Sequence, residues 1–261
     1  MGTIQARGDT NLESETVIRV LETPDEMDAC VELQRRAWGF TDLDLIPKRV
    51  FVVTHKIGGQ VLGAWIGDRL VGFSMALPGH RPGQTYWHSH MLAVEESQRN
   101  RGLGRRLKLE QREGALAQGI ELIEWTFDPL EIKNGYFNLC VLGAMARRYH
   151  PNFYGQTSNR FQAGLPSDRL TAEWWLRSAR AQAVAQGSPL PPPDITAEVS
   201  VPGAIQQWKD TQDPRALATQ THLREQLTAA FASGLAVVGY RKDETVGTFQ
   251  LGPERQAEVS A

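Results

Sequence analysis

The sequence predicts a mixed α/β (α+β) fold, and three local patterns carry that prediction. Residues 60–66 and 69–77 are apolar runs joined by Gly67-Asp68, which reads as a β-hairpin. Thr23-Pro24-Asp25-Glu26 matches a capping box with proline at the first helical position, and Met27, Val31, Leu33 and Trp38 give the following helix an apolar side. An apolar strand ending at Val94 passes through a glycine-containing turn into an amphipathic helix over about 102–118, which Gly119 ends.

The other elements fall around these in chain order. Residues 1–15 are polar and expected to be disordered, and 16–21 read as a first strand. A second helix is expected over 47–57, stopped by Gly58-Gly59, and 80–84 form a loop leading into a strand over 85–94. After the glycine-turn helix come an apolar strand over 120–127, broken by Asp128-Pro129, and a helix over 138–149. Residues 161–165 and 168–176 read as two more strands. The second rests on the alternation of Leu170, Ala172, Trp174 and Leu176, although Trp-Trp-Leu-Arg also suits the start of a helix. A helix and a proline-rich linker fill 177–194, stiff from Gly187 to Asp194. The C-terminal extension, 195–261, reads as a βαββ segment: a strand over 195–201, a helix over about 214–233 and a hairpin of 235–241 with 245–251. Three roles suit it: packing on the core, completing a sheet or making a homodimer contact.

Composition bounds the function. A chain of 261 residues can bury a substantial core, as one large domain or two modest ones. The formal net charge of -2, with both signs interspersed, gives no footprint for nucleic acid, so the arginines from Arg99 onward suit a small anion instead of a polymer. Cys30 and Cys140 lie in apolar-patterned segments, read as buried thiols, and form no CxxC metal pair. The start is polar and acidic, and no window holds 18 uninterrupted apolar residues, so a cytoplasmic protein without a membrane partner is expected.

Residues 92–107 carry most of the functional information. At a helix start the first N–H groups lack partners and the macrodipole is positive, so a diphosphate can settle there, and Gly102 and Gly104 let the backbone approach it. The spacing Arg99-x-x-Gly102-x-Gly104, five residues after the strand end at Val94, resembles the acyl-CoA signature of the GCN5-related N-acetyltransferases (GNAT). Asn100 stands where that family often has glycine; asparagine tolerates left-handed geometry better than most residues. Spacing excludes the Rossmann and P-loop readings, and Gly-Lys-Ser/Thr is missing. The resemblance covers about 16–176 and implies a GNAT-type mixed, mostly antiparallel central sheet flanked by helices, with the βαββ extension outside it.

It also implies a site for acetyl-CoA, or another acyl-CoA, and no metal. Loop amides of Arg101, Gly102, Leu103, Gly104 and Arg105, with Arg99 and Asn100, would hold the diphosphate. The strand edge at Leu92, Ala93 and Val94 would pair with the pantetheine arm. In the family that strand is bulged and splayed from its neighbour, so the N–H of Leu92 or Ala93 would face the thioester oxygen. Asn138 matches the family's cofactor-contacting asparagine, and capping the helix expected there is compatible with that role.

The acceptor amine must lose a proton before it attacks, since an alkylammonium with a pKa of about 10 has no lone pair. His88 and His90 are candidate bases: a period of two puts them on one strand face, and His88 falls where some family members carry a catalytic glutamate. Equally, both could be hydrogen-bonded core residues, and a metal pair lacks a nearby third ligand. Glu124 on the adjacent strand is a second candidate, with a surface or structural role as the alternative. For the proton donor, the family's tyrosine position falls on Met145, and Tyr149 sits one turn later on the expected helix, where it could equally pack against Phe153 and Tyr154; water is the alternative. The favoured reading is an N-acyltransferase acting on an amine-bearing small molecule or peptide. A non-catalytic acyl-CoA sensor and an interaction protein are the alternatives.

Overall fold

One mixed sheet runs through the computed structural model, which describes residues 16–42, 44–155 and 162–254. The expectation for 1–15 lies outside the described residues. In chain order the elements are β1 (Val17–Val20), α1 (Pro24–Trp38), α2 (Lys48–Lys56), β2 (Gln60–Ile66), β3 (Arg69–Arg81), β4 (Gln84–Val94), α3 (Leu103–Ala117), β5 (Leu122–Phe127), α4 (Ile132–Tyr136), β6 (Met145–His150) and β7 (Arg169–Trp175). There follow α5 (Ala179–Ala185), β8 (Ala197–Pro202), α6 (Ile205–Asp210), α7 (Pro214–Ala232), β9 (Leu235–Lys242) and β10 (Val246–Pro253). The strand order is β1-β2-β3-β4-β5-β7-β6-β9-β10-β8, antiparallel throughout except for β4 beside β5.

Local chemistry explains most boundaries. The capping box forms: the Thr23 hydroxyl accepts from the Glu26 N–H and the Glu26 carboxylate accepts from the Thr23 N–H. Gly39 ends α1 at φ 67°, a conformation that costs glycine little. α1 and α2 cover one face of the sheet, where Cys30, Leu33 and Phe51 meet Phe73, Met75 and Met91. α3 covers the other, with Leu103 and Leu107 against Leu62 and Ala64.

Three expectations are corrected. The helix over 138–149 is instead a π-helical turn (Phe137–Val141) that follows α4 and leads into β6. Met145-Ala-Arg-Arg-Tyr-His150 favours helix locally, but Gly143 at φ 70° breaks the chain and pairing with β7 fixes the extended form. Of the strand expected over 161–165, Phe161 lies outside the described residues and 162–165 form a turn, with Ala163 and Gly164 at φ 49° and 79°. The loop over 80–84 is a tight turn, because β3 and β4 stay paired as far as Arg81 and Gln84.

The C-terminal segment, joined by the unforeseen α6, completes the sheet: β9 meets β6 through Ala146 and Val237. Leu223 and Leu227 of α7 share a core with Trp125 and Trp174. Two ion pairs, each with one fully buried partner, reinforce the seam: Arg224 with the buried Asp168 at 2.8 Å and the buried Lys209 with Glu131 at 2.6 Å.

Candidate acyl-CoA site

Two strands that should run side by side part company at the centre of the sheet. β4 pairs with β5 only at Trp87 with Ile123 and at His88 with Glu124. Opposite Met75 and Ala76 of β3, β4 carries one extra residue: Met91 and Ser89 are the partners, and His90 bulges between them. Beyond the bulge, Leu92, Ala93 and Val94 remain bonded to β3 alone among the described strands. Since successive N–H groups of a strand point to opposite sides, one of Leu92 and Ala93 aims its N–H into the gap.

The gap leads to the start of α3. Among the described residues no side chain caps that helix; Gly102 occupies the N-cap at φ 78°, and Asn100 takes the left-handed conformation at φ 62°. The helix's first turn therefore leaves backbone donors facing outward, a fit for a phosphate. A Cβ added to Gly104 would sit 3.6 Å from Phe137 and 3.8 Å from Leu92, contacts that the fold accommodates but that narrow the mouth of the gap. The loop arginines divide. Arg99 donates to the carbonyls of Val94 and Ala37, Arg105 to that of Val184, and Arg106 to that of Thr16, so these guanidinium groups hold the turn in place. Arg101 is exposed and, among the described residues, has no side-chain partner.

On the sheet face away from α3, His88 and His90 stand side by side, ring centroids 6.0 Å apart. Burial, with the charges of His90, Lys108 and Arg148, pushes His88 down to about 4. Desolvation also lowers His90, whose outer edge stays open to solvent. Both are thus neutral at pH 7. Because the unfolded chain takes up the His88 proton near 6.5 and the folded chain only near 4, stability is lost as pH falls between those values. The wild type is expected to lose about 3 kcal/mol more than His88→Gln between pH 7 and pH 4, read by urea unfolding; equal losses would remove His88 as the group responsible.

Glu124, registered with His88, is buried, and its Oε1 accepts from Arg81 at 2.7 Å and from Arg148 at 2.6 Å. That oxygen is already doubly occupied, which argues against a proton-accepting role. Tyr149 is on a strand and not a helix, and it pairs with Leu170, which pairs with Phe127, so it points to the face opposite His88 and Glu124. There its hydroxyl donates to Asp168 at 2.6 Å. Asn138 caps nothing: it lies inside the π-helical turn, buried, with Oδ1 accepting from the Trp125 indole at 3.1 Å. Its neighbour in the turn, Phe137, is the residue that comes close to Gly104.

Two features escaped sequence reasoning. Lys108 of α3 is buried under β4, donating to Ser89 and Gln111 at 2.9 Å with its Nζ 3.8 Å from the Trp125 ring centroid. Burial without a carboxylate holds its pKa well below the ordinary value, and a lysine at an apolar helix stripe was the available signal. Arg148 was hidden by the helical reading of 138–149. Among the described residues, no cluster of three His, Cys, Asp or Glu side chains could hold a metal, and no helix is long and apolar enough to cross a membrane.

Residues 27–133 match the Acetyltransferase (GNAT) family. Solved structures with the same fold include a GNAT-family protein from Desulfovibrio desulfuricans, 17% identical, TM-score 0.50, covering 61% of this chain and 98% of its own. A Salmonella typhimurium protein, yncA, solved with its cofactor acetyl-CoA, is 14% identical with a TM-score of 0.50 over 62% of this chain and 94% of its own. No curated protein matches the chain significantly.

Proposed function

We propose that this chain, which carries an acetyltransferase domain of the GNAT superfamily, transfers acetyl from acetyl-CoA to a primary amine by direct attack on the thioester. The observation that supports this reading most is the parting of β4 from β5 beside a helix start with glycine at its N-cap: one opening offers strand-edge amides, helix-terminal amides and an exposed arginine with no side-chain partner among the described residues. Acetyl-CoA would supply the activated acyl carbon and a thiol leaving group. The α3 turn, with Arg101, would bind the diphosphate, and Gly104 and Phe137 would flank the pantetheine arm. The N–H of Leu92 or Ala93 would face the acyl oxygen and stabilise the negative charge that develops on it.

On the other side of the sheet, His90 at the bulge is the better-placed proton acceptor, being neutral and open to the acceptor. His88, beside it and more deeply set, would steer the amine. Glu124 would hold two arginines and take no proton. With Tyr149 on the opposite face, solvent would protonate the departing thiolate.

Thiol release on mixing acetyl-CoA with a panel of amines tests the activity. Arg101→Glu is expected to weaken acetyl-CoA binding about 10-fold or more at low salt, an effect that shrinks as salt rises. Calorimetry showing equal affinity at low salt would take Arg101 out of the diphosphate site.

A further inference from the structure

We infer, resting on the acyl-transfer reading, that the acceptor amine carries a carboxylate, which Arg81 and Arg148 receive beside the histidines. The polar face of β5, β6 and β7 next to His88 is layered by charge. Two of its anions lie at the bottom: Glu124 is 4% and Glu173 2% exposed, while the more exposed Glu254 is engaged by Arg147, which also holds Glu173. Above them are guanidinium groups about one-third exposed, Arg81 at 32% and Arg148 at 36%. Arg148 bridges the two carboxylates, its Nε donating to Glu173 at 3.1 Å and its Nη2 to Glu124 at 2.6 Å. Its Nη1 donates to none of the described residues. Arg81 is set by Glu124, by Gln84 at 2.6 Å and 3.0 Å, and by the Tyr86 ring 5.0 Å away.

A simple alkylammonium approaching this face would meet fixed positive charge and neutral histidines, with the carboxylates already engaged beneath. An acceptor whose amine is accompanied by a carboxylate reverses that balance. Its anion can take the spare guanidinium donors in a charge-assisted pair, while its amine sits over His88 and His90. The buried glutamates then have a clear function: they hold two guanidinium groups in fixed orientation, so that little side-chain freedom is lost on binding.

The test uses glycine, 4-aminobutyrate and 6-aminohexanoate, each beside the alkylamine of equal length, together with free lysine against lysinamide. For at least one pair, kcat/KM is expected to be 10-fold or more higher for the carboxylate-bearing acceptor. Arg148→Lys, which keeps the charge but loses the fork, and Arg81→Gln are expected to reduce that ratio at least several-fold, mainly through KM. Equal kcat/KM across every pair, turnover of amines lacking a carboxylate only, or no turnover of any carboxylate-bearing acceptor would overturn the inference. Failure of the acyl-transfer reading shows separately, as absent acetyl-CoA binding in calorimetry of the same full-length protein.

Discussion

Replacing both His88 and His90 by alanine is expected to lower turnover at saturating acetyl-CoA by about 100- to 10,000-fold, the range for loss of a positioned acid–base group. Acetyl-CoA affinity should stay within a few-fold of wild type, because both rings lie on the face away from the α3 turn. In the wild type, kcat should rise with pH along a limb below 6.5, where the lowered histidines titrate, and the double variant should lack that limb. The single variants apportion the effect: the larger loss is expected at His90, which is open to the acceptor, and the larger stability change at His88. Near-normal turnover in a folded double variant would eliminate the histidine mechanism. The two arginines on Glu124 make that residue a poor substitute, so bulk water would then be the proton acceptor.

A chain ending at Gln186 is expected not to fold. Truncation there strips Val201, Leu223, Leu227, Val237 and Phe249 from the core that also holds Trp125 and Trp174. It bares the edge of β6 and leaves Asp168, fully buried, without Arg224. Uncovering one buried partner of an ion pair typically costs about 3–5 kcal/mol, against a total stability of about 5–15 kcal/mol for a typical protein. Circular dichroism should show no cooperative thermal transition. A fragment that melts sharply and still binds acetyl-CoA would show that the C-terminal segment is an accessory.

Much of the architecture was legible because local signals agreed with the tertiary context. The capping box at Thr23, the Gly67-Asp68 turn and the strand–glycine–helix sequence at 92–107 each contain their own stop or start chemistry. The stretch 138–149 misled because its composition suits a helix while its neighbours supply strand pairing, and pairing partners distant in sequence are invisible to periodicity. That error displaced Tyr149 to the wrong face and concealed Arg148. The bulge at His90 was implied by family resemblance, whereas its location depends on the β3 register, which no local pattern carries. The loop arginines show the same limit: spacing marks Arg99, Arg101 and Arg105 alike, but only side-chain packing reveals that Arg99 and Arg105 are tied to carbonyls while Arg101 has no side-chain partner among the described residues.

The most direct test of the acyl-CoA assignment is calorimetric titration of acetyl-CoA into the wild-type protein and into Gly104→Val, with melting temperatures recorded for both. A Cβ at Gly104 meets Phe137 and Leu92 at ordinary contact distance, so the variant should fold. Its branched methyls would occupy the mouth of the gap and displace the cofactor from the helix amides, weakening binding by several kcal/mol at most, the scale of a lost set of charge-assisted hydrogen bonds. The predicted result is a saturable heat in the wild type that drops by about 100-fold in affinity, or disappears, in the folded variant. Unchanged affinity in a folded Gly104→Val protein would contradict the account.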